Sequence, residues 1–168
     1  MGTRLRLVRD RDRVRQDDGV PVVPPPLIAL TAAAVQHALA PDERPGAARR
    51  IAAGALAVAS VGMLVGASRR FRAAGTTFEP FDPSKTSSLV TDGPNAITRN
   101  PIYLGLAGLL ATHAVVRAGW LTPLPVAVFV AVIDRVQIRP EEDALRRKFG
   151  EEYVSYCARV PRWLGPTG

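Results

Sequence analysis

The chain has very little cysteine, histidine or lysine, and each shortage excludes something. Cys157 stands alone, so no intrachain disulfide is possible and nothing implies an oxidising compartment. With His37 and His113 it falls far short of a metal-ligand cluster, and no metal is expected. Lysine occurs only at Lys85 and Lys148, so the net charge of +7 comes from arginine. Aromatic residues make up 6% and are not interleaved with the arginines, as a base-stacking surface needs. No nucleic-acid partner is therefore expected. Also missing is a glycine-rich loop following a strand, which rules out a soluble Rossmann-type domain.

What is present is charge segregated into blocks. The mean hydropathy of +0.07 is unremarkable, but the charges gather at Arg4–Asp18, Asp42–Arg50, Arg69–Arg72 and Asp134–Arg162. Nearly uncharged stretches separate them, which is the pattern of a membrane protein with polar ends. Basic flanks beside apolar spans follow the positive-inside rule. At 168 residues the chain is long enough for one domain. We expect residues 1–19 to be a mobile cytoplasmic Arg/Asp tail and residues 20–168 to be one membrane domain.

Along that domain, Pro21, Pro24, Pro25 and Pro26 predict an extended approach and a helix starting near Leu27. A basic start, an apolar run and Ala38-Leu39-Ala40 also fit a signal peptide, but the tail is long and rich in Asp, and an uncleaved first span is the reading taken. Ile51–Ser68, bounded by arginine pairs, is the clearest membrane helix, and Gly62 and Gly66 within it predict a packing face. Ile102–Ile133 is too long for one span, so Arg117-Ala118-Gly119 predicts a helical hairpin with Trp120 as an interfacial anchor. Leu145, Phe149, Tyr153 and Tyr156 share one face of an amphipathic C-terminal helix, which Gly150 is expected to break. The fold expected is all-α, a bundle of about four transmembrane helices with a cytoplasmic C-terminal amphipathic helix. Both termini then face the cytoplasm, in a plasma or inner membrane, although Arg44, Arg49 and Arg50 fall on the outer side against the rule.

Four spans bring two polar segments together on the cytoplasmic face. Arg99-Asn100-Pro101-Ile102-Tyr103 opens the third span, with Pro101 suited to the first helical position and Asn100 placed to cap it. Asp134, Arg135, Arg139, Glu141 and Glu142 leave the fourth. Charges at such depth pair with one another or bind something polar. Taken alone, Glu141 and Glu142 could equally balance neighbouring arginines on a solvated helix, Tyr103 could be a belt aromatic, and His113 a packing residue.

Leu89-Val90-Thr91-Asp92-Gly93-Pro94 and Thr98-Arg99-Asn100-Pro101-Ile102-Tyr103-Leu104-Gly105 form a first block. Glu141-Glu142, Leu145, Phe149-Gly150-Glu151-Glu152-Tyr153, Tyr156 and Val160-Pro161-Arg162-Trp163 form a second. In that order they resemble the isoprenylcysteine carboxyl methyltransferase and phospholipid methyltransferase superfamily, over roughly Phe71 to Trp163. The resemblance implies S-adenosylmethionine as cofactor and a lipophilic methyl acceptor reached from the bilayer. It carries cofactor binding onto Ser87, Ser88, Leu89, Val90, Asn95, Asn100, Pro101, Ile102, Tyr103, Glu141 and Glu142. Arg139 or Arg99 is expected to orient an acidic acceptor group through its donor fork. The chain departs from the family at Asn100, where histidine is common, at Asn95, where an aromatic is common, and at Gln137, where the carboxyl methyltransferases carry arginine. Two other readings stay in view: a nicotinamide-dependent membrane reductase, because some sterol reductases share the helical core, and a membrane protein that has lost its cofactor, which Asn95 and Gln137 keep open.

Overall fold

Proline marks the start of three helices, because its fixed φ suits the first turn and its missing N–H is not needed there. The computed structural model describes residues 23–41, 45–75 and 87–166; the expected tail, and the Phe78–Pro83 segment whose prolines predict a turn, lie outside the described residues. Helix α1 is Pro25–Leu39, two residues longer at its start than the Leu27 expectation, because Pro25 and Pro26 are accommodated in its first turn. Helix α2 is Ala47–Ala73. A 3₁₀ turn, Gly93–Ala96, precedes α3, Pro101–Arg117, and α4, Pro123–Ile133. A π-helical turn, Asp134–Ile138, leads into α5, Arg139–Phe149, and α6 is Glu151–Arg159. All regular structure among the described residues is helical.

Helix α2 spans about 40 Å at 1.5 Å per residue and is long and apolar enough to cross a membrane. Only 17% of its apolar stretch is buried within the molecule, which is the opposite of a soluble core helix. Helices α1 and α3 are shorter and also apolar. The expected hairpin is present: α3 ends at Arg117, Ala118 takes the left-handed conformation with φ 51°, and α4 returns along α3.

The core lies among α1, α3, α4 and the π turn, where Ala29, Tyr103, Ala107, Leu110, Phe129, Ile133 and Ile138 meet. Helix α2 packs on α3 through small residues. Its buried positions are Ala53, Ser60 and Ala67, seven apart and so on one stripe. Opposite them are Gly105, where a Cβ would come within 2.6 Å of Leu64 and 2.9 Å of the Ser60 carbonyl, and Gly108, where it would strike Ser60. The glycine pair expected to make this face splits up: Gly66 lies against Pro94, and Gly62 has nothing within 4 Å. Close approach is therefore granted by the α3 glycines.

The helix running from α4 through α5 carries Pro140 in its interior. Proline offers no N–H and crowds the carbonyl four residues earlier. The π turn absorbs this, with the Arg139 N–H donating to the Asp134 carbonyl five residues back. Farther on, Gly150 breaks α5 from α6 with φ 51°, a conformation glycine adopts at little cost. The turn lets Tyr153, Tyr156 and Val160 pack with Leu89, Leu145 and Phe149, uniting the face expected from their spacing.

Candidate active site

At the N-terminal end of α3 the chain doubles back on itself. The Pro161–Trp163 segment lies across Thr98–Asn100, held by Arg99 N–H to the Pro161 carbonyl at 2.9 Å. The Arg162 carbonyl accepts from the Thr98 hydroxyl at 2.8 Å and from Asn100 Nδ2 at 3.0 Å. Asn100 occupies the N-cap position of α3 but makes no side-chain cap; its amide is spent on this strap instead.

The strap delivers Arg162 to an ionic cluster. Glu142 Oε1 accepts from Arg99 Nη2 at 3.0 Å and Arg99 Nε at 3.1 Å. Its Oε2 accepts from Arg162 Nη2 at 2.6 Å. Arg99 Nη1 donates to the carbonyls of Val160, at 2.7 Å, and Cys157, at 3.3 Å. The side chains of Arg99 and Glu142 are 8% and 6% exposed, so this is a buried pair with most of its donors satisfied. Asp134 joins from the π turn, accepting from Arg162 Nη1 at 3.3 Å and Trp163 Nε1 at 3.2 Å. Burial pushes the Glu142 carboxyl up, but the Arg162 and Arg99 guanidiniums outweigh it and hold it below its ordinary value.

Glu141, one residue earlier, meets neutral partners. Its Oε1 accepts from the Tyr103 hydroxyl at 2.7 Å and from Gln137 Nε2 at 2.6 Å. Both bonds fall on one oxygen, and no cation is paired with this carboxylate among the described residues. Burial therefore dominates, with the nearby Glu142 charge adding to it and the Gln137 and Tyr103 hydrogen bonds opposing it; the carboxyl is raised to about 7. A desolvated carboxylate with a spare oxygen is suited to hold a cationic or hydroxyl-bearing ligand.

Of the residues expected at the site, the structure brings Tyr103 to Glu141 and Arg99 to Glu142. Pro101 is buried at the first position of α3 and Ile102 is half-buried behind it. Asn95 sits in the 3₁₀ turn, where its carbonyl accepts from the Tyr156 hydroxyl at 2.6 Å. Its side-chain Oδ1 is buried with no hydrogen-bond partner. Val90 is buried and Leu89 packs against the Tyr153–Tyr156 face. The Ser87 and Ser88 hydroxyls donate at 3.5 and 3.3 Å to the Gly75 and Ala74 carbonyls at the end of α2, rather than to Glu141. Arg139 is 52% exposed and lies 3.5 Å from Asp134; Arg99 has its guanidinium engaged by Glu142 and two carbonyls.

The sequence placed Asp134 among the charges of the site and Thr98 and Arg162 within its motif blocks, but it did not show that Arg162 joins Glu142, that Thr98 holds the strap, or that Gln137 is a partner of Glu141. Gln137 was findable, since it stands four residues before Glu141 on what reads as one helix. Arg162 was not, because no periodicity links it to Glu142 across twenty positions.

The family model for phospholipid methyltransferases matches residues 48–152, which includes both glutamates and all of α3. An uncharacterized protein of Haemophilus influenzae is 40% identical over 63 residues, covering 38% of this chain and the whole of that protein. No solved structure matches the chain.

Proposed function

The chain belongs to the phospholipid methyltransferase family, and on that footing we propose that it transfers a methyl group from S-adenosylmethionine to a lipophilic acceptor drawn from the bilayer. In this reading residues 20–168 form the catalytic domain, α1 to α4 are its four spans, and the Arg99–Glu142 end faces the cytoplasm. The single observation that carries the reading is Glu141: a carboxylate held at one oxygen by Tyr103 and Gln137, with no cation against it among the described residues.

The residues present fit the donor. S-adenosylmethionine supplies a methyl group on a sulfonium, and transfer is one in-line displacement. The protein's part is then to orient, desolvate and hold. Glu141 offers its second oxygen to an ammonium or to ribose hydroxyls. Asn95 Oδ1, a buried acceptor lacking a donor, is costly to leave unpaired and suits an amino group on a flat base. Tyr103 is fully buried, and its ring packs in the core while its hydroxyl fixes Glu141. Arg139, half-exposed and paired with Asp134 only at 3.5 Å, is the guanidinium assigned to an acidic group of the cofactor or acceptor. Arg99 works through Glu142 as a positioning residue.

Equilibrium binding to purified protein in detergent tests this, with a nicotinamide dinucleotide as comparison. Saturable binding of S-adenosylmethionine alone is expected. Glu141→Gln should weaken it at least about tenfold, the scale of one lost charged hydrogen bond, while the protein stays folded. Unchanged affinity in that variant would remove Glu141 from the site. Binding of the dinucleotide instead would make the protein a reductase.

A further inference from the structure

The opposite end of the bundle holds a second polar cluster with no part in the chemistry above. Gln36, on α1, is fully buried. Its Nε2 donates to the Thr122 carbonyl at 2.6 Å, which obliges its Oε1 to face His113 Nδ1, 2.7 Å away. The carboxamide therefore fixes the ring: Nδ1 carries the proton and donates, and Nε2 points away from Gln36. The His37 ring lies 6.0 Å from the His113 ring, tilted by 32°. Arg117 is four residues beyond His113 on α3 and so on the same face. Its Nε is buried with no hydrogen-bond partner, and no ion pair is formed by it among the described residues.

Three nitrogen-bearing side chains thus converge, and the described carboxylates all fall between residues 92 and 152, at the other end. A buried guanidinium N–H without an acceptor is costly and calls for one. Two histidines with no third ligand among the described residues, beside a guanidinium, make a poor metal site. What fits is an oxyanion, and a planar donor fork favours phosphate. The level is right for one from a lipid. From Asn100 to Arg117 the helix rises about 25 Å, roughly a hydrocarbon core, and Trp120, 88% exposed in the adjoining turn, stands where membrane proteins place interfacial indoles.

We propose that Arg117 and His37 seat a phosphate oxyanion at the membrane interface opposite the active site, supplied by a lipid headgroup, with His113 held beside them as a neutral ring by Gln36. This rests on membrane embedding and is independent of the methyl-transfer reading.

Native mass spectrometry of the delipidated full-length protein in detergent tests it. The probes are phosphatidylglycerol, a diacylglycerol of the same chains, and inorganic phosphate as competitor. The protein should retain phosphatidylglycerol in preference to diacylglycerol, and Arg117→Gln should weaken that retention roughly tenfold. His37→Gln gives a second reading in case the first variant misfolds, since His37 is exposed and outside the Gln36 bonds; a severalfold loss is expected there. Failure of phosphate to compete supports the lipid as source. Competition by phosphate keeps the oxyanion seat but overturns the lipid source. Equal retention of the two lipids, or wild-type retention in both variants, overturns the seat itself.

Discussion

Glu141 and Glu142 are adjacent in sequence and occupy opposite electrostatic surroundings. Glu142 is enclosed by two arginines and fixes the C-terminal strap to the start of α3. Glu141 is answered by a phenol and an amide, and no arginine among the described residues reaches it. The first arrangement spends its charge on holding the chain together. The second leaves a carboxylate imperfectly neutralised, which a protein tolerates where a ligand completes the set. The difference separates a structural glutamate from the one proposed to bind more sharply than burial does, since both are largely withdrawn from water.

The largest effect should come from Glu142→Gln, which strands Arg99, 8% exposed, without its counter-charge. Breaking a buried pair on one side costs about 3–5 kcal/mol, read as a lowered thermal unfolding midpoint in detergent. A loss as small as that of a surface pair would mean that the strap is held by its backbone bonds alone.

A smaller effect is a pair of opposed pH dependences. Glu141 is raised from an ordinary 4.5 to about 7. Its native state therefore favours the proton, and its contribution is complete below pH 4.5 and lost as pH rises through 7. Glu142 is lowered, so its contribution is present above 4.5 and lost as pH falls below it. Stability measured from well below pH 4 up to pH 8 should show Glu141→Gln removing a decline toward neutral pH, and Glu142→Gln removing a decline toward acid. Parallel slopes would erase the distinction between the two residues.

The smallest effect belongs to Arg139→Gln. At 52% exposure and 3.5 Å from Asp134, this pair should contribute no more than about 0.5 kcal/mol. A cost approaching that of Glu142→Gln would place Arg139 inside the clamp and withdraw it from any role toward the cofactor or acceptor.

Much of the helical layout was legible because it is local. The hairpin break at Arg117-Ala118-Gly119, the Gly150 joint and the shared face of Leu145, Phe149, Tyr153 and Tyr156 all follow from period and turn chemistry within a few residues. The two motif blocks taken together assigned Tyr103 and Glu141 separately to the cofactor, but the bond between them was not foreseen. What stayed hidden is long-range and has no period: Arg162 with Glu142, and Gln36 with Thr122 across 86 positions. The α2–α3 contact misled for a different reason. Small residues permit close approach anywhere along a helix, so Gly62 and Gly66 could not announce that Ser60 would be the residue met by Gly105 and Gly108.

The π turn at Asp134–Ile138 acts as a rotary index between the membrane helix and the polar one. It houses one residue more than an α-helical path of the same rise, and each residue is worth 100° of rotation. Were the turn to straighten with the chain length kept, every later side chain would shift by one position. Glu141 would arrive where Glu142 now meets the two arginines, and Pro140 would face Tyr103. Which of two adjacent glutamates clamps the protein and which is left available is therefore decided by the winding of a single turn upstream of both.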